Sequence, residues 1–269
     1  MIPEATGLKG QNLEVTNQNK FRQLGQELPT PNVYRNASGA PGHEYYQMQA
    51  DYDIRVTLDD EIQRIDGEET VTYHNNSPDV LDYLWLQLDQ NIRAQGSLKS
   101  KINARGMSAK SSFGGMARRF PDFDGGFKIL TVTDGSGKKL SYVINETMMR
   151  IDLPEGLEPG DKTSFKISWW YNINDRMAIG GRSGYEYFEK DDNYLYSIAQ
   201  FFPRMAVYSD VDGWQHKQFT GSGEFALTFG DYKVAITVPE DHIVAATGLL
   251  QNAKEMLSAE QYERLGKAK

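Results

Sequence analysis

From residue 45 onward the chain alternates apolar and polar positions with period two, the pattern of strands half-buried in a sheet. Tyr52, Ile54, Val56 and Leu58 fall on one face of a first predicted strand, with Asp51, Asp53, Arg55 and Thr57 on the other. A second strand over 69–74 follows a turn expected at Asp66-Gly67. A third, over 83–88, follows the turn 75–79 and points Leu84, Leu86 and Leu88 inward. Residues 127–133 and 140–144 flank Asp134-Gly135-Ser136-Gly137, which predicts a hairpin. Residues 149–153, a turn over 154–160 and residues 163–171 continue the meander. Trp169 and Trp170 are neighbours, so one must be core and the other covered from the opposite side. A glycine link over 176–184 precedes strand 194–200, and further strands are expected over 225–229, 232–238 and 243–247. One-sided alternation joined by short connections makes the expected fold all-β and antiparallel, with one solvated face per sheet.

The densest chemistry lies in residues 194–225. Tyr194, Tyr196, Ile198 and Gln200 alternate with Leu195, Ser197 and Ala199, giving a strand with bulk on both faces. It runs into Phe201-Phe202-Pro203, where proline, lacking an N–H, ends regular pairing. Arg204, Tyr208, Asp210, Asp212, Trp214 and His216 follow within a few residues. An amide, a guanidinium and two carboxylates delivered at a strand end are one way to present a binding site. An aromatic core crossing with a polar rim is the other reading of the same residues.

Three segments depart from the strand pattern. Residues 1–43 carry Pro29, Pro31 and Pro41, with a short helical turn expected near 19–24; they read as an extended arm or as disorder before a β domain over 44–269. Residues 91–126 contain six glycines, and from Arg93 to Arg119 there are seven Lys/Arg and no acid. That run is expected to be a solvated excursion, or else a cover for a partner or acidic ligand. Asp122-x-Asp124-Gly125 within it has the start of a calcium loop without the later ligands. Ser258-Ala259-Glu260-Gln261 is a capping box, so a helix should begin at Ser258.

Composition narrows the function classes. Hydrophobic residues make up 39% of 269, enough for a core, yet no run approaches the roughly 18 apolar residues of a membrane helix. A net charge of −8 argues against a general nucleic-acid binder. With no cysteine, disulfides and thiolate metal sites are excluded. Residues 1–30 lack a charged-then-apolar leader, which leaves extracytoplasmic and cytoplasmic locations both open.

Gln200, Arg204, Tyr208 and Asp210 resemble the N-terminal-domain signature of the aminopeptidase N family of zinc exopeptidases, the gluzincins. Residues 52–59, 65–73, the run Asn75-Asn76-Ser77-Pro78-Asp79, residues 84–88 and the stretch from Gly223 through Val238-Pro239-Glu240 to Ala246-Thr247-Gly248 agree with it in order. The resemblance covers Tyr45 to Asn252. It implies a saddle-like β domain that packs on a catalytic domain and lends one Gln or Glu, here Gln200, to the α-amine of a peptide substrate. That family's zinc-binding His-Glu-x-x-His and its Gly-x-Met-Glu-Asn loop are missing from this chain. His43, His74, His216 and His242 are too far apart in sequence for a helical zinc pair. The chain therefore resembles the front of such an enzyme, with zinc expected only in a catalytic domain not present here and no activity expected of this part alone. It also departs locally: the family commonly has a proline shortly after the position of Asp210, and this chain has Asp212-Gly213-Trp214.

Two other classes fit the residues. A free-standing sandwich module binding carbohydrate or protein would use Trp169, Trp170, Tyr185, Tyr187 and Trp214 as an aromatic platform. A carboxylate hydrolase would draw on Glu186, Glu189, Asp210 or Asp212.

Overall fold

The computed structural model describes residues 31–102, 110, 112–113, 122–221 and 226–268. It divides into a unit ending at Thr237 and a second unit, Val238–Lys269. In chain order the strands are β1 (Gln49–Asp59), β2 (Arg64–His74), β3 (Leu81–Gln87), β4 (Lys128–Asp134), β5 (Tyr142–Asn145), β6 (Met148–Leu157) and β7 (Lys162–Asn172). They continue as β8 (Gly184–Phe188), β9 (Asn193–Ser197), β10 (Arg204–Met205), β11 (Tyr208–Ser209), β12 (Gly213–Trp214) and β13 (Tyr232–Thr237). One sheet has the order β13-β1-β2-β7-β4 and another β10-β3-β6-β5, while β8-β9 and β11-β12 are separate two-stranded ribbons. The fold is all-β and sandwich-like, as the alternation predicts.

The inward phase of β1 holds: Tyr52, Ile54, Val56 and Leu58 are buried, as are Leu84, Leu86 and Leu88. Trp169 is buried, and Trp170 is covered by cations, with Arg64 5.4 Å and Lys128 5.7 Å from its ring centre. Arginine and lysine stems shield an aromatic face cheaply because their charged heads stay wet.

Several expectations fail, each for a tertiary reason. The first turn lies over 60–63, and Asp66-Gly67 is inside β2, where Gly67 faces Trp169 across the ladder. A Cβ on Gly67 would sit 2.5 Å from the indole, so glycine here makes room rather than a turn. The turn after Asp134 closes a short hairpin, with Thr133 bridged antiparallel to Lys139 and Leu140 N donating to the Val132 carbonyl at 3.0 Å, but it stops there: β4 pairs with β7 and β5 with β6, so the chain changes sheets. β13 lies parallel to β1, against the antiparallel expectation, and is reached through Gly230, whose Cβ would collide with the Ala50 carbonyl. Residues 226–229 contribute only a bridge at Phe229, and 243–247 form no strand. The excursion is preceded by a buried 3-10 turn over Asp89–Arg93 and begins with the helix α1 (Leu98–Ile102), which buries no residue; most of the basic run beyond it lies outside the described residues. The strand expected over 194–200 ends at Ser197 and pairs with β8 in a two-stranded ribbon. The glycine link contains a short helix α2 (Arg176–Ile179), capped by Asp175. The expected helical turn near 19–24 lies outside the described residues.

In the second unit a short helix α3 (Ala253–Met256) precedes α4 (Ala259–Ala268). The capping box is formed: Ser258 N donates to Gln261 Oε1 at 2.9 Å, and Gln261 N to Ser258 Oγ at 3.2 Å. No helix among the described residues is long and apolar enough to cross a membrane.

Two predictions follow from the core. Gly67→Ala should destabilise by about 1–3 kcal/mol, the usual cost of overpacking, because Trp169 cannot retreat from a buried ladder. Urea denaturation followed by tryptophan fluorescence reads this, and an unchanged midpoint would refute the packing role. The second concerns Glu69, 2% exposed between Ile54 and Ile167 across the ladders, with neither carboxyl oxygen hydrogen-bonded to a described residue. Burial pushes its carboxyl well above the usual carboxylate range. Above the unfolded value near 4.5 the unfolded chain releases this proton while the folded chain keeps it, so rising pH costs stability until the folded group also ionises. Glu69→Gln removes that dependence, so its stability relative to the parent should increase from pH 5 to pH 8, by up to about 1.4 kcal/mol per pH unit within the window. A constant difference across that range would show that Glu69 titrates normally.

Candidate functional site

After β9 the chain turns back into the body through Gln200, whose φ of 54° places a non-glycine residue in the left-handed region. That conformation costs roughly 1–2 kcal/mol and persists only where neighbours impose it. Gln90 supplies the constraint: its Nε2 donates to the carbonyls of Ala199 at 3.0 Å and Gln200 at 3.1 Å. Its own Oε1 accepts from Arg93 Nη1 at 2.8 Å.

The adjacent Asp89 holds the other end of the same segment. Its Oδ2 accepts from Arg204 Nε at 2.8 Å, and Arg204 also donates to Gln87 Oε1 at 3.2 Å. The Asp89 side chain is 0% exposed and that of Arg204 13%. Burial raises the Asp89 carboxyl above its usual range although the Arg204 guanidinium beside it acts the other way. Two further bonds close the segment onto the body, Trp169 Nε1 to the Phe201 carbonyl at 3.1 Å and Met205 N to the Tyr52 hydroxyl at 2.9 Å. With its backbone so fixed, the Gln200 side-chain amide makes no hydrogen bond to any described residue.

Tyr208 and Asp210 belong to a second knot. Tyr208 Oη donates to Asp79 Oδ2 at 2.7 Å, and burial, then Asp79, raises the phenol. Asp79 stands at the end of a turn organised by buried Asn75, whose Nδ2 donates to the Asp79 and Leu157 carbonyls at 2.7 and 2.8 Å. Asp210 accepts two bonds from Arg35, Nε at 2.8 Å and Nη2 at 2.9 Å, with its side chain 3% exposed. Arg35 also lies 5.0 Å over the Tyr45 ring. The described part of the N-terminal arm is thus latched to the loop after β11 rather than free.

Of the four signature residues, Arg204 and Gln200 are ends of one clamped segment, while Tyr208 and Asp210 brace a different one. Arg204, Tyr208 and Asp210 each have a partner; among the described residues Gln200 is the one whose side-chain group has none. The other candidates disperse. Glu186 pairs with Arg176 at 3.2 Å, and Glu189 and Asp212 are exposed at separate turns. Trp169 and Trp214 are buried, so the five expected platform residues share no surface. Asp124 pairs with Lys128 at 2.7 Å. His74 meets Asp51 at 3.0 Å, and His216 stacks on Trp85 at 5.3 Å. Among the described residues no three His, Asp or Glu side chains converge to hold a metal, so the residues present do not fit a zinc ion. Sequence reasoning missed Gln87, Asp89, Gln90 and Arg35. Asp89 and Gln90 had a signal: a polar run directly after the buried Leu84–Leu86–Leu88 phase, where alternation breaks.

No protein-family model matches the chain, and no curated protein matches it. Solved structures do. One is the M1 zinc metallopeptidase from Deinococcus radiodurans, at 13% identity and a TM-score of 0.41, covering 79% of this chain and 37% of that one. A mutant of the same enzyme bound to a Tyr-Ser-Ala substrate gives 14% identity, a TM-score of 0.40 and coverage of 79% and 38%. Both are M1 zinc metallopeptidases. At this identity and TM-score the likeness carries nothing about residues or chemistry, and the chain spans little more than a third of those proteins.

The arm latch makes a prediction. Arg35→Ala leaves the Asp210 carboxylate buried without its cation and should cost about 3 kcal/mol, whereas Asp210→Asn in the same background should recover most of the loss. A double-mutant cycle by chemical denaturation measures the coupling. Additive losses would mean the pair does not hold the arm.

Proposed function

We propose that this β domain is the substrate-binding and scaffolding domain of a zinc-dependent aminopeptidase, in which Gln200 receives the α-ammonium of a peptide's N-terminus. The observation that carries the reading is the state of Gln200: strained backbone, carbonyl pinned by Gln90, and a side-chain amide that bonds to no described residue. A side-chain oxygen held this way is suited to accept a charge-assisted hydrogen bond from an ammonium, and a substrate without that ammonium would leave the acceptor unpaired. The ordered motifs from Tyr45 to Asn252 support the same reading. So does an apolar strip on β13, where Tyr232, Val234 and Ile236 continue the inward phase of β1 yet stay exposed, as a face meant for a catalytic domain would. Any zinc, in this reading, would be held by residues outside this chain, where it would supply Lewis-acid chemistry; this chain's part is to bind and orient the amine end.

The test is made in the aminopeptidase carrying this domain. Gln200→Ala should lower kcat/KM on substrates with a free N-terminus by about tenfold to a hundredfold, the worth of one hydrogen bond to a charged group. N-acylated substrates should change far less, and Gln200→Glu should retain activity. Equal losses on both substrates, accompanied by a lower Tm, would return Gln200 to a purely structural role.

A further inference from the structure

The ribbon β8–β9 carries a feature that the amine-binding reading does not use. Its register sets Tyr185 opposite Tyr196 and Tyr187 opposite Tyr194. Directly opposed residues, and residues two apart, share a face, so four tyrosines form one block. Their rings are in contact: Tyr185–Tyr194 at 5.9 Å, Tyr187–Tyr194 at 4.9 Å and Tyr194–Tyr196 at 6.1 Å between centres. The outer pair is open to solvent, Tyr187 46% and Tyr194 41% exposed, so this block is not core.

The turn that closes the ribbon is acidic. Between Gly184 and Ser197 stand Glu186, Glu189, Asp191 and Asp192 against Lys190 alone. Tyr187 Oη donates to Asp192 Oδ1 at 2.8 Å, which brings a carboxylate to the edge of the tyrosine block. Among the described residues the carboxylates of Glu189 and Asp191 have no cationic partner. An exposed electron-rich face edged by the Asp192 carboxylate complements a cation on an aliphatic stem: the stem covers the ring and the head reaches the acid. Arginine satisfies both at once through its planar guanidinium. A sugar would use the rings but not the excess negative charge.

We propose that the Tyr187–Tyr194 face with Asp192 is a docking surface for an extended, arginine- or lysine-bearing segment of a partner polypeptide, in which a basic side chain stacks on the tyrosine pair and meets Asp192. The proposal is independent of Gln200 and of any peptidase activity.

The experiment is a calorimetric titration of the full chain with a Gly-Ser peptide bearing arginine at every second position. The same peptide with citrulline, which keeps the shape and loses the charge, and cellohexaose are titrated beside it. The arginine peptide should bind, more weakly as salt rises, and the citrulline peptide and cellohexaose should not. Tyr187→Ala and Tyr194→Ala should each weaken binding by about two- to fivefold, the range of exposed cation–π contacts, and Asp192→Asn by a similar factor. Tyr187→Phe, which keeps the ring and loses the bond to Asp192, should lie between parent and Tyr187→Ala. Far-UV circular dichroism and thermal melts identify variants that have lost the ribbon. Should the melts show such loss in both alanine variants, Tyr187→Phe and Asp192→Asn decide alone, and parent-level affinity in both would overturn the proposal. Affinity unchanged in the tyrosine variants would mean that the chain's overall negative charge attracts the peptide, which also overturns it. So would binding of cellohexaose that the same tyrosine changes abolish, or no binding of the arginine peptide at low salt.

Discussion

The ion pair between Arg204 and Asp89 is the constraint on which the arrangement around Gln200 depends. Strand β10 is two residues long and pairs with β3 only at Gln87 and Leu86, too short a ladder to hold an irregular segment by itself. The pair adds a bond that is expensive to break, because removing either partner leaves a charge in a place with almost no access to water. Asp89 and Gln90 are neighbours, so one 3-10 turn grips both ends of residues 199–204, by side chain at Arg204 and by backbone at Ala199 and Gln200. The left-handed backbone of Gln200 is tolerated because both ends are fixed.

This organisation separates support from contact. Arg204, Tyr208 and Asp210 spend their hydrogen-bonding capacity on Asp89, Asp79 and Arg35, and so tie the segment after β9 to the β2–β3 turn, the end of β3 and the N-terminal arm. Residues engaged in this way fix geometry but have little left for a ligand. The Gln200 amide, which has no partner among the described residues, is the group at the end of the same segment available to meet one.

The two unusual burials have opposite meanings. Asp89 is buried with a cation, Arg204, bonded to it, a compensated cost that serves positioning. Glu69 is buried with no described partner, in a sheet whose neighbours across both ladders are isoleucines. Its neutral form is the one the surroundings tolerate, which makes it a weak point of the core as pH rises.

Alternation along the chain determined that this protein is all-β, and which faces of β1, β3 and β7 are inside, because side-chain direction in a strand has a fixed period of two. The capping box over Ser258–Gln261 was equally legible, since its partners lie three residues apart and need nothing from the rest of the fold. Everything that depends on distant neighbours was not. Asp66-Gly67 reads as a turn until Trp169, a hundred-odd residues away, claims the space over the glycine. Residues 127–144 read as one long hairpin, but only its end next to the turn pairs before β7 and β6 claim the two arms, and sheet membership is set by pairing that local sequence cannot see. Gln200 was visible as a candidate from its motif, but its conformation and its unengaged amide came from Gln90 and Arg204, whose partners are brought together only when the two layers close.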